Sequence, residues 1–152
     1  MQNQLEIAIE GLQTHKVVLV KNGKIVDAQE GRGLEPLFRL LSKNSLEGAS
    51  LADRVIGSAA ALLLAPTGVK EVYGKVLSRG AKERLEQANI RVHGGKLVDR
   101  ILNRRGDDLC PMEKMALAAE DREDFLKRFQ AFRKQAASSP KDPSPSPDEK
   151  SL

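Results

Sequence analysis

The chain has 152 residues, 40% of them hydrophobic, which is the length of one domain with apolar content for a real core. Its formal charge of +4 comes from 25 basic and 21 acidic residues interspersed along most of the chain, and the 3% aromatic content without tryptophan argues against a base-stacking platform for nucleic acid. No apolar run approaches the roughly 20 residues that span a bilayer, the N-terminus Met1-Gln2-Asn3-Gln4 lacks the basic flank of a signal peptide, and the single cysteine allows no intrachain disulfide. The expectation is a cytoplasmic protein with no membrane partner.

Leu5, Ile7, Ala8, Ile9 and Leu12 predict a short first helix that ends near Gly11 or Thr14. The period then changes. Lys16-Val17-Val18-Leu19-Val20 is a β-rich run, Asn22-Gly23 is a strong hairpin signal, and Lys24 to Ala28 returns as the partner strand. The continuous apolar character of the first strand predicts burial on both faces, and its partner reads as an edge. Gly31-Arg32-Gly33 breaks that strand, and Glu35-Pro36 opens a helix with Leu37, Leu40 and Leu41 as its stripe.

Ser50 to Ala65 is apolar on nearly every face after its first residues, which predicts one buried central helix with Asp53 and Arg54 in its first turn. Pro66-Thr67-Gly68 ends it. Val69 to Leu77 predicts a third strand, Ala81 to Ala88 a helix, and Ile90 to His93 a short fourth strand. Leu97, Val98, Ile101 and Leu102 predict a helical turn that leads through Asn103-Arg104-Arg105-Gly106 to a helix starting at Cys110-Pro111. A last helix, residues 121–137, carries Phe125, Phe129 and Phe132, a stripe that packs on the domain or serves a partner. Residues 138–152, rich in proline and serine, have nothing to bury and read as a disordered tail behind a single domain of residues 1–137.

Helices that alternate with the later strands point to parallel crossovers, and the first pair to an antiparallel hairpin. The expected fold is therefore α/β: a three-layer α-β-α arrangement around a mixed sheet.

Chemistry concentrates in Leu109-Cys110-Pro111-Met112-Glu113-Lys114. Pro111 suits the first helical position, so Cys110 becomes the cap, and Glu113 stands where a side chain can reach back to the cap's own N–H. One reading is an ordinary helix start. The other is a reactive thiol facing the positive end of a helix, with Lys114 one turn away. Several alternatives fail on inventory. Gly31-x-Gly33 lacks the later glycine of a dinucleotide loop, no phosphate-binding P-loop exists, and His15 and His93, the only histidines, flank or end strands.

The order of elements resembles the cytidine deaminase fold, in which His-x-Glu and Pro-Cys-x-x-Cys at two helix starts bind zinc and the glutamate shuttles protons. More closely, five segments resemble a small bacterial and archaeal family of unknown function with that fold, over residues 16 to 119. They are Val20-Lys21-Asn22-Gly23-Lys24, the run from Ala52 to Ala61, Gly68-Val69-Lys70-Glu71-Val72-Tyr73, Asn103-Arg104, and Leu109 to Lys114. Where deaminases carry His-x-Glu this chain offers Ala52-Asp53-Arg54, and where they carry Cys-x-x-Cys it offers Cys110-x-x-Glu113. One thiolate with two carboxylates is a poor zinc set, so no metal is expected.

Two functions compete. The first is a non-catalytic module, binding or regulatory, for a small ligand, nucleotide-like or otherwise. The second is an enzyme with Cys110 as nucleophile in a pocket with Asp53 and Glu113. In either case Arg54, Lys114, Asn103 and Arg104 are the candidate ligand contacts, and Asp53 and Cys110 are expected to face one cleft. Homo-oligomerisation is compatible with the sequence.

Overall fold

The computed structural model describes residues 3–103 and 105–137; Arg104 and the tail 138–152 lie outside them, together with the expectations placed there. The chain runs α1 (Gln4–Gly11), β1 (Val17–Lys21), β2 (Lys24–Gln29), α2 (Glu35–Lys43), β3 (Ser50–Ile56), α3 (Ser58–Leu64), β4 (Glu71–Ser78), α4 (Arg79–Gln87), β5 (Arg91–Val98), α5 (Pro111–Ala118) and α6 (Arg122–Ala137). The five strands form one sheet in the order β2-β1-β3-β4-β5. β1 pairs antiparallel with both β2 and β3, while β3–β4 and β4–β5 are parallel. This is the mixed α/β arrangement expected from the sequence.

The hairpin forms because Asn22 and Gly23 both accept positive φ, 53° and 77°, as a type I′ turn requires. β1 then alternates between two cores. Val17 and Leu19 enter the larger one, shared with α2 to α6, and Val18 and Val20 enter a smaller one under α1, with Ala8, Leu12 and Ala52. The sheet is therefore covered on both faces, and β1 is buried along Val17 to Val20.

Residues 50–65 correct the expectation of one long helix. Ser50–Ile56 is the central strand and only Ser58–Leu64 is helical, with Gly57 at the break. A run that is apolar on every side fits a strand buried on both faces as well as it fits a buried helix, and the β-branched Val55-Ile56 before the glycine marks the strand. Asp53 and Arg54 consequently lie inside β3 rather than at a helix start.

A second correction concerns residues 94–102. β5 continues through Gly94-Gly95 to Val98, and the expected helical turn is replaced by extended chain in which Leu102 bridges Leu109. The glycines do not end the strand; they admit close neighbours. A Cβ at Gly95 would lie 2.7 Å from the Tyr73 hydroxyl and 2.8 Å from the Lys75 carbonyl oxygen.

α6 docks on the domain. Phe125 and Phe129 are buried and stack with centroids 5.9 Å apart, and Phe38 of α2 meets Phe129 edge-on at 5.3 Å. Arg133 lies over the Phe38 ring and donates to Glu35 at 2.8 Å, while Phe132 stays exposed. Among the described residues no helix is long and apolar enough to cross a membrane.

Candidate functional site

At the end of β3 three segments converge: Gly57 before α3, Ile101 beyond β5, and the Cys110-Pro111 start of α5. Between them lies a cleft of about 50 Å³, lined by Lys16, Val55, Gly57, Ile101, Cys110 and Glu113, with Gly33, Leu34, Ala59, Ala60 and Met112 completing its largely apolar wall.

Glu113 is the centre of this junction. It is 3% exposed, and its two oxygens accept from Ser58 N–H at 2.7 Å and from Ile101 N–H at 2.9 Å. One buried carboxylate on α5 thus satisfies the first free N–H of α3 and a backbone N–H beyond β5, bonds worth about 1.5–3 kcal/mol each when one partner is charged. The expected reach back to the Cys110 N–H is not made, because that N–H already donates to the Ile101 carbonyl at 2.9 Å. Gly57 permits the convergence: a Cβ there would stand 2.6 Å from Ile101 Cγ1 and 3.0 Å from Glu113 Oε1.

Cys110 occupies the cap position of α5, but its sulfur accepts no cap hydrogen bond; the half-buried thiol borders the cleft instead. Thiol sulfur is a weak acceptor, and Glu113 fixes the helix start through other segments. Lys114 turns away, to Asp108 at 2.5 Å, and is not part of the lining. The hydrogen bond from Lys114, and then that from Leu109 N–H, hold the Asp108 carboxyl below its ordinary value against a smaller opposing effect of desolvation.

Asp53 and Cys110 do not share the cleft surface. Asp53, 1% exposed, lies behind Lys16, whose ammonium donates to it at 2.5 Å, and it also accepts from Val55 N–H at 3.2 Å. Lys16, 5% exposed, is the member of this pair that reaches the lining. Arg54 points elsewhere, donating twice to the Leu12 carbonyl at the end of α1, at 2.8 and 3.1 Å. Asn103 closes the turn before α5, accepting from Gly106 N–H at 2.8 Å and donating to Asp107 at 2.9 Å. Of the sequence-derived candidates, the structure brings together Cys110 and Glu113 directly and Asp53 through Lys16.

Lys16, Gly57, Ser58 and Ile101 were not legible as site residues. A lysine just before an all-apolar strand is a weak signal, and the backbone N–H groups of Ser58 and Ile101 have no signature in sequence.

The zinc implied by the fold resemblance does not fit this donor set. α3 begins Gly57-Ser58-Ala59, with no ligating imidazole or carboxylate, and both Glu113 oxygens are already held by N–H groups. Asp53 is committed to Lys16, and among the described residues no group of three or more His, Cys, Asp or Glu side chains is placed to hold a metal ion.

The profile of a family described as a domain of unknown function (DUF1893) matches residues 8–133. The crystal structure of a DUF1893 family protein from Thermotoga maritima is similar with a TM-score of 0.77 and 22% identity, over 87% of this chain and 91% of that one. That likeness establishes the fold. A dCMP deaminase from cyanophage S-TIM5 follows at a TM-score of 0.44 and 18% identity, over 60% of this chain and 93% of that one. A Thermotoga maritima diaminohydroxyphosphoribosylaminopyrimidine deaminase/5-amino-6-(5-phosphoribosylamino)uracil reductase has a TM-score of 0.41 and 19% identity, over 74% of this chain and 38% of that one. No curated protein matches the sequence.

Proposed function

We propose, from the premise that the chain belongs to the DUF1893 family, that it is a non-catalytic binding or regulatory module whose cleft at the starts of α3 and α5 takes a small ligand. The observation that carries this reading is the commitment of Glu113: both its oxygens are spent on the Ser58 and Ile101 N–H groups, so it holds the fold instead of moving protons. The other charged groups nearby are spent likewise, Asp53 on Lys16 and Lys114 on Asp108. A general acid or base must be free to reach the reacting atom, and none of these is. The cleft's small volume and apolar wall suit a compact ligand, or one edge of a larger one whose remainder stays in solvent.

The test is paired. Full-length protein, with and without added zinc, is incubated with cytidine and with dCMP and the product followed by ultraviolet absorbance, and a thermal-shift series is run with the same compounds and with their free bases. The expected result is no deamination and a concentration-dependent rise in melting temperature with at least one compound. Turnover that is lost in Cys110→Ser would overturn the non-catalytic reading.

A second reading, Cys110 as a nucleophile, is favoured by one observation: the residue is partly exposed, its sulfur makes no cap bond, and it borders the cleft. Covalent labelling by a substrate-like electrophile that the thermal-shift ligands block would support it. Labelling no faster than that of a free thiol would remove it.

A further inference from the structure

The two edges of the sheet differ in what they could accept. β2, at one edge, carries both Lys24 and Asp27, is distorted by an irregularity in its pairing with β1, and engages Asp27 with Gln29 and Asn44. β5, at the other, reads Arg91-Val92-His93-Gly94-Gly95-Lys96-Leu97-Val98: eight residues with three basic side chains and no acidic one. It is exposed over most of its length, and Arg91, His93 and Lys96 make no ion pair among the described residues. Arg91 N–H donates inward, to the Lys70 carbonyl at the start of β4, so strand alternation turns the N–H and C=O groups of Val92 and Gly94 outward, away from the sheet, up to the interruption of the pairing at Lys75 and Gly95. Gly94 and Gly95 leave the middle of this edge without side chains.

We propose that the β5 edge is a docking site for an extended acidic peptide, which adds to the sheet as a sixth strand. Backbone pairing to Val92 and Gly94 supplies the affinity, and acidic side chains opposite Arg91 and His93, which share a face of the strand, select the partner. The same charges disfavour a second copy of this chain. Self-pairing along this edge would bring two strands together that carry basic side chains and no acid to offset them.

The test uses the full chain and three fluorescein-labelled hexapeptides: alternating Glu-Val, alternating Lys-Val and alternating Glu-Pro. Fluorescence anisotropy is expected to show the Glu-Val peptide binding at least tenfold more tightly than either of the others. Arg91→Glu combined with His93→Glu, both at exposed positions, should weaken it at least tenfold while the thermal melt stays unchanged; Arg91→Glu alone serves if the double variant folds poorly. Amide exchange should slow at Val92 and Gly94 when the Glu-Val peptide is added. Equal binding of the Glu-Pro peptide would reduce the effect to charge without strand pairing and overturn the proposal. So would exchange protection elsewhere, or sedimentation of the free chain as a dimer whose interface protects these amides.

Discussion

Two helices begin with the same spacing and close in opposite ways. α1 starts Asn3-x-x-Glu6, and the box is local: Asn3 Oδ1 accepts from Glu6 N–H at 2.9 Å, and Glu6 Oε1 accepts from Asn3 N–H at 3.0 Å. α5 starts Cys110-x-x-Glu113, yet neither half of that box forms, and Glu113 instead joins Ser58, 55 residues away in sequence, to Ile101. Two physical differences explain the divergence. An amide oxygen accepts a hydrogen bond well and a thiol sulfur poorly. The α1 start lies in water, whereas Glu113 is buried where unpaired N–H groups of other segments must be satisfied. The same three-residue spacing is thus a local cap at the surface and a long-range clasp in the interior.

The largest expected effect follows from breaking the clasp. Glu113→Ala leaves the Ser58 and Ile101 N–H groups without their acceptor, at about 1–3 kcal/mol each, so urea denaturation should show a loss of about 2–6 kcal/mol. A loss below about 1 kcal/mol would mean that water replaces the carboxylate and that Glu113 is not structural.

Crowding the same junction from the other side should cost less. Gly57→Ala forces a Cβ against Ile101 and Glu113, and overpacking of this kind typically costs about 1–3 kcal/mol. Gly80→Ala in α4 is the control, since its Cβ would meet only Ser58 Oγ at 3.6 Å and should leave the melt unchanged or slightly raised. Equal effects of the two would deny that Gly57 is fixed by close approach.

The two cap residues sharpen the contrast further. Asn3→Ala removes a working cap and should cost about 1 kcal/mol. Cys110→Ser removes no sulfur cap bond and should change stability by less than about 0.5 kcal/mol. The comparison fails if the cysteine change proves the more damaging of the two in parallel melts.

The smallest effect is electrostatic. Lys114→Ala should raise the Asp108 carboxyl toward its ordinary 3.8, incompletely because the Leu109 N–H bond remains, as followed by carbon NMR of the side chain. With a depressed folded-state value, the stabilisation exists above 3.8 and is lost as pH falls through the folded-state value. Lys114→Ala should therefore flatten stability between those two points. Because both partners are more than half exposed, the neutral-pH melt should barely move.

The sequence by itself determined whatever neighbours along the chain decide. Asn22-Gly23 dictates the hairpin turn through positive φ, the alternation of Val17 to Val20 commits β1 to burial on both faces, and Glu35-Pro36 and Cys110-Pro111 mark helix starts that the structure keeps. Only the tertiary structure decided residues 50–65, because an apolar run buried on every side carries no period that separates a central strand from a buried helix. It alone also decided the partners of Asp53, Arg54 and Glu113. Lys16, the Leu12 carbonyl, and the Ser58 and Ile101 N–H groups are 37, 42, 55 and 12 residues away in sequence. A charged side chain taken out of water binds whatever opposite charge or backbone polar group the packed sheet and helices leave unsatisfied. Which groups those are is settled only when β3, β5 and α5 come together.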